Sequence, residues 1–192
     1  MNIESELKNI LGSEDAVQSG TDDYAIDGIV PSWVVFPSTA EQICRLVTLA
    51  VDQKLKAVPF GGGTQVDMGE VPLRVDLVIS TQRLKEVTYY NERDMTISAG
   101  AGMTLKELGQ HVRSANLWFP VDPPHPDRVT LGGAVAASAN GPLRFGKGPL
   151  RDHVIGLKVV SPEGKIVKAG GKVVKNVAGY DMCKLYTGSL GT

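Results

Sequence analysis

The sequence has only two cysteines and three histidines among its 192 residues. Cys44 and Cys183 are far apart in the chain, which excludes a cysteine-rich zinc or iron–sulfur site built by this chain alone. Two free thiols in a reducing compartment are the expectation. His111, His125 and His153 have no carboxylate at ligand spacing, so each is expected in a structural or surface role. His125, beside Asp127 and Arg128, is the one to watch. No apolar run approaches the ~20 residues of a membrane helix. The polar N-terminus lacks the basic start and apolar stretch of a secretion signal. The expected location is cytoplasmic, with any link to the inner membrane made through partners. Charge of one sign is also missing: 20 basic against 21 acidic residues argue against a nucleic-acid or anionic-membrane partner. There are no internal repeats and no low-complexity tract. What the chain does have is glycine, 22 in all and clustered, which marks turns or backbone that must come close to something.

The apolar pattern predicts an α+β chain in two lobes, a small βαβ lobe to about residue 80 and a larger mixed lobe with antiparallel strands. Residues 1–28 read as a leading helix and linker, and residues 29–192 as the main domain. Strands are expected at 33–36, 57–60 and 77–80. Hairpins are expected at 83–99, turning at Asn91–Asp94, and at 154–169, turning at Pro162-Glu163-Gly164. Ser38 and Glu41 fit a capping box ahead of a helix whose stripe is Ile43, Leu46, Val47, Ala50 and Val51. Thr104 and Glu107 fit a second box, ahead of Leu105, Leu108 and Val112. Four prolines make 119–129 an extended loop. A short small-residue helix follows at 130–141, and another at about Asp181–Tyr186. The glycine-rich end at Gly188–Thr192 suggests that a longer protein was cut there.

Three segments carry the chemistry. Phe60-Gly61-Gly62-Gly63-Thr64-Gln65 follows a buried strand, and its bare backbone amides can converge on a diphosphate. A ligand-free flexible turn is the competing reading. Thr130-Leu131-Gly132-Gly133 opens a helix, where amides and dipole favour an anion. Close helix packing selects the same small residues. Asn140-Gly141 is either a turn or a polar contact near the same ligand. In the third segment, residues 175–192, Asp181 suits a helix N-cap, Tyr180 suits the core, and Gly188 and Gly191 suit backbone near a flat ligand.

GGGT at 61–64, TLGG at 130–133 after a PVDP loop, RDHVIGLKVVSPEG at 151–164 and KNVAGYDMCKLYTGSLGT at 175–192 stand in a set order. Together they resemble the FAD-binding domain of the p-cresol methylhydroxylase/vanillyl-alcohol oxidase superfamily. Within it, the last segment is most similar to the FAD-binding, second flavin subunits of bacterial glycolate oxidases. The resemblance implies a flavin-dependent oxidoreductase acting on a small 2-hydroxy acid. D-lactate or 2-hydroxyglutarate dehydrogenation is the near alternative. A flavin-free assembly subunit that keeps the fold is the distant one. It implies FAD held by Phe60, Gly61, Gly62, Gly63, Thr64 and Gln65 at the diphosphate. Thr130, Leu131, Gly132 and Gly133 would line its other side and ribityl chain, with Gly191 and Thr192 near the flavin. Pro120, Asp122, Asn140 and Gly141 join the cofactor-binding set. It also implies a second flavoprotein subunit and an iron–sulfur subunit as partners, and a C-terminal domain that covers the flavin ring and supplies substrate contacts, with the catalytic residues in that part or in a partner subunit. The glycine loop offers no His or Cys for attachment, so FAD is expected to be non-covalent.

Two other patterns are decoys. Gly141 to Lys147 spells GxxxxGK, but Gly148 stands where a triphosphate loop needs Ser or Thr. Gly100-Ala101-Gly102 opens a dinucleotide fingerprint, but Leu105 replaces its third glycine.

Overall fold

The computed structural model describes residues 2–172 and 179–191. It divides into two compact units, residues 1–84 with 159–167 and residues 85–158 with 168–192. The mixed α+β class expected from the sequence is the class observed.

In the first unit, helix α1 (Ile3–Leu11) starts at Asn2, whose side chain accepts the Glu4 amide, and ends on left-handed Gly12. Its Leu7 and Leu11 pack into a core with Val17, Val35, Leu46, Leu77 and Ile79. Helix α2 (Ala40–Asp52) lays Leu46 and Ala50 on this unit's core. The α2 cap differs from expectation by one residue. Thr39, not Ser38, accepts from the Gln42 amide, and Gln42, not Glu41, reaches back to the Ser38 amide. Glu41 is thereby left free of the cap, on the first turn, where its charge suits the helix dipole. Val51, expected on the buried stripe, is 59% exposed, because the helix ends one residue later.

Strands β1 (Val17–Ser19), β2 (Trp33–Val35), β3 (Ala57–Phe60) and β4 (Leu77–Ser80) form one sheet in the order β1-β2-β4-β3. The expected βαβ unit is therefore split. β2 and β3 both run parallel to β4, which lies between them. Every residue of β4 is buried, as an apolar central strand must be. β3 is an outer strand and carries Pro59. Beneath it, Val34, Phe60, Val75 and Val78 gather with Tyr24, Phe36 and Val66. Residues 159–167, expected in the second lobe, cluster with this unit. Gly164 sits against Thr48 and the Cys44 carbonyl of α2, where a side chain would collide.

In the second unit, β5 (Val87–Asn91) and β6 (Thr96–Ala99) form the expected hairpin. The box before α3 (Leu105–Arg113) is complete: Thr104 accepts the Glu107 amide, and Glu107 accepts the Thr104 amide at 2.8 Å. Lys85 pairs with the same carboxylate at 2.8 Å. Leu105 and Leu108 pack with Met103, Val121, Val129, Ala134, Val135 and Leu150. Short helices α4 (Leu131–Ala136), α5 (Arg144–Lys147) and α6 (Leu150–His153) follow the proline loop. Strands β7 (Gly156–Val160) and β8 (Ile166–Gly170) make a second hairpin, of which residues 159–167 count with the first unit, and α7 (Met182–Tyr186) is the last helix among the described residues. Asp181 caps α7 as expected, accepting from Cys183 and Lys184. Tyr180, expected in the core, is 95% exposed. Residues 175–178 of the third sequence motif lie outside the described residues, as does Thr192.

Candidate functional site

Each unit carries one of the glycine segments, and the two are built differently. In the first, β3 delivers Phe60 to the rim of the sheet, where its carbonyl accepts the Thr81 amide at 2.9 Å. The chain then leaves the sheet. Gly63 is left-handed, with φ +66°, and a Cβ there would stand 2.8 Å from the Phe60 ring. Two independent constraints thus demand glycine at 63: the dihedral and the ring beneath it. That ring is 5.1 Å from Tyr24, which is 5.8 Å from Phe36, with Arg83 above the Phe36 ring. Burial pushes the Tyr24 phenol pKa up, opposed by its bond with Gln82. The loop therefore rests on an aromatic floor. Sequence reasoning did not find Tyr24. Its signal was weak, since it lies more than thirty residues from the loop in a short turn.

Among the described residues, no acceptor takes the amides of Gly61, Gly63 or Thr64, and Gly62 is engaged. Residues 61–64 are half-buried and Gln65 is exposed. Uncommitted amides on a half-buried turn, one of them left-handed, are the donor set an anionic oxygen needs.

In the second unit the amides are committed. Leu131 donates to the Met103 carbonyl at 2.7 Å and Gly132 to the Ala101 carbonyl at 2.8 Å. Gly133 donates to the Thr130 hydroxyl at 3.2 Å. The first three donors of α4 thus have partners within the chain, and the anion seat expected at this helix start lacks donors. Gly132 is small because Ala101 is there: a Cβ would lie 2.7 Å from the Ala101 Cβ. Close packing, the bland reading of TLGG, describes Gly132. What the segment can still offer a ligand is the bare backbone of Gly132 and Gly133.

The neighbouring site candidates are also engaged within the chain. The Asp122 carboxylate accepts the Leu143 amide at 3.1 Å, and a Cβ on Gly141 would collide with the Asp122 carbonyl. Asn140 accepts the Leu150 amide at 2.7 Å and donates to the Ser138 carbonyl at 2.6 Å. Pro120 is half-buried beside this junction in sequence. Gly191 is left-handed and exposed, on a tail that Gly188 and Leu190 tie to the end of α4 through Val135 and Ala136.

Both decoys fail structurally. No strand precedes Gly141, and α5 is a single turn. Gly100–Gly102 follows β6, a member of an antiparallel hairpin, not a parallel strand. His125 is exposed at φ +58°, and its carbonyl accepts from Arg128 and Val129 in a local turn. His111 lies edge-on to Tyr90. Among the described residues, no group of His, Cys, Asp and Glu is placed to hold a metal, and no helix is long and apolar enough to cross a membrane. Both cysteines are free thiols, and burial, with Asp181 nearby, pushes the Cys183 pKa up.

Comparison with known proteins matches residues 31–170 to a family described as FAD binding domain. The chain is 30% identical to the glycolate oxidase subunit GlcD of Bacillus subtilis, over 99% of this chain and 42% of that protein. It is 35% identical to the D-lactate dehydrogenase of Archaeoglobus fulgidus, over 83% of this chain and 35% of that one. With the D-2-hydroxyglutarate dehydrogenase of Stutzerimonas stutzeri it shares 31% identity, over 84% and 35%. The chain thus spans less than half the length of these relatives. Among solved structures, alkyldihydroxyacetonephosphate synthase superposes on the whole chain with a TM-score of 0.81 at 21% identity, covering 37% of that chain, which bears on fold alone.

Proposed function

The chain belongs to the FAD-binding domain family, and from that premise we propose that it binds FAD without a covalent bond, as part of an oxidoreductase acting on a small 2-hydroxy acid. The observation that carries the reading is the glycine turn at residues 61–64, where Gly63 stands over the Phe60 ring and the amides of Gly61, Gly63 and Thr64 take no acceptor among the described residues. In this reading Gly61, Gly63 and Thr64 donate to the diphosphate, with Phe60 beneath and Gln65 at the solvent edge. Gly62 contributes by having no side chain. Thr130, Leu131, Gly132 and Gly133 give the cofactor a flat surface. Asp122, Asn140, Gly141 and Pro120 hold the backbone next to that surface. Gly191 and Thr192 belong to the same set. Bound flavin supplies the electron-pair acceptor, and the chain's own part is to bind and orient it.

The 2-hydroxy-acid class rests on relatives named for glycolate, D-lactate and D-2-hydroxyglutarate. Substrate contacts would come from the portion of such proteins that this chain does not span. A second flavoprotein subunit, an iron–sulfur subunit and a cytoplasmic setting complete the reading. Non-covalent attachment is supported by the absence of His and Cys from residues 59–66.

The purified chain should show a flavin absorption spectrum after incubation with FAD and desalting. Acid precipitation should then move all the colour to the supernatant. A colourless protein would favour the flavin-free assembly module and overturn the proposal. A yellow pellet would overturn its non-covalent part alone.

A further inference from the structure

The segment after α4 is tied down at both ends and presents an aromatic ring between the ties. Asp122 holds the Leu143 amide at 3.1 Å, and Asn140 holds the Leu150 amide at 2.7 Å. Between these anchors, Phe145 on α5 is 94% exposed. Leu143 and Trp118 are exposed as well, and the Lys147 ammonium stands 5.5 Å from the centre of the Trp118 ring. All of these residues belong to the second unit. A backbone ordered by side-chain hydrogen bonds while its largest ring stays in water is pre-organised for contact.

Charge selects the kind of partner. Among the described residues, neither Arg144 nor Lys147 has a carboxylate partner. The near-neutral total also hides a division. The first unit carries a formal charge of −6 and the second +5. A cationic turn around an apolar ring complements an acidic rim around an apolar pocket. Two cations at the turn fall short of the roughly four to eight that hold a segment on anionic lipid. Trp and Arg beside a protruding ring are the residue types that dominate protein–protein contacts.

We propose that the Leu143–Lys147 turn, with Trp118 beside it, is a docking surface for a different protein that presents an acidic rim around an apolar pocket. The surface uses none of the Gly61–Thr64 turn, while its two ties, Asp122 and Asn140, are residues that the flavin reading places beside the cofactor.

The test places a photo-reactive benzoylphenylalanine at position 145 of the full chain in the cells of its natural host. The expected adduct is to an Asp/Glu-rich segment of another protein, and it disappears in an Arg144→Glu, Lys147→Glu background. With that protein purified, Phe145→Ser should weaken binding at least about ten-fold. Added salt should weaken it further. Because Phe145 is exposed, its replacement should leave the thermal midpoint at the parent value. An adduct to lipid, to a second copy, to the chain itself or to a non-acidic segment overturns the proposal. So does the absence of any adduct, or binding that Phe145→Ser leaves unchanged.

Discussion

Gly63 and Gly132 each lie within a glycine-rich segment, and the structure uses them in opposite ways. At Gly63 the backbone is left-handed over an aromatic ring, and the amides of Gly61, Gly63 and Thr64 take no acceptor among the described residues. At Gly132 the backbone is pressed against Ala101, and the amides on either side are bonded within the chain. Glycine reports that the backbone comes close to something. Whether that something is a ligand or the chain's own backbone is decided by where the amides go.

The sharpest way to break this comparison is Gly63→Val. A branched side chain resists φ +66° and meets the Phe60 ring, so the turn must reshape. Loss of two charge-assisted amide bonds, each worth about 1.5–3 kcal/mol, would weaken FAD binding roughly 10²–10⁴-fold. Calorimetric titration with FAD reads the effect directly. A folded variant with parent affinity would mean that this turn does not hold the diphosphate.

Gly132→Ala should act on folding instead. One methyl group inserted against Ala101 is expected to cost about 1–3 kcal/mol in urea unfolding. FAD affinity of the remaining folded protein should change less than stability does. The opposite ranking would place Gly132 at the ligand and erase the contrast between the two segments.

The smallest effect concerns the cap that leads into the Ala101–Met103 stretch. The bond from Lys85, then the Thr104 amide, hold the Glu107 carboxyl below its ordinary pKa of 4.5. A depressed carboxyl stabilises the fold above its unfolded pKa, and this contribution is lost as pH falls through the folded value. Because the Glu107 side chain is 41% exposed, solvent screening reduces the contribution to about a few tenths of a kcal/mol. Thermal melts below pH 4.5 should show a shallower loss of stability in Glu107→Gln than in the parent. Equal slopes in the two proteins would show that the ion pair adds nothing.

Local signals in the sequence were legible, and non-local ones were not. The β5–β6 turn, the Thr104–Glu107 box and the Asp181 cap depend on residues a few positions apart; the box and the cap stand where expected, and the turn, expected at Asn91–Asp94, lies one residue further on at 92–95. The entry of β4 between β2 and β3 pairs Trp33 with Leu77, and no periodicity within either strand encodes that choice. β1 escaped notice because three residues are too few to show alternation. The α2 cap slipped by one because Ser38 and Thr39 are both good capping residues, and Gln42 completes the box as well as Glu41. At the candidate site, the glycines were legible as close approaches. The Ala101 and Met103 carbonyls that satisfy the α4 amides lie about thirty residues upstream, and no motif points to them. Tyr24 and its floor beneath the loop were invisible for the same reason.

Pro59 has a consequence of a different kind. The Lys56 and Phe60 carbonyls receive amides from the β4 side, so by alternation the backbone of Pro59 faces outward from the sheet. Proline there has no hydrogen to offer. A strand from another molecule that came to extend the sheet would find a gap in the middle of a four-residue rim, with the turn at Gly61 cutting off the rest. The outer edge of β3 is thereby made a poor template for aggregation, while the same short strand still ends at the glycine turn.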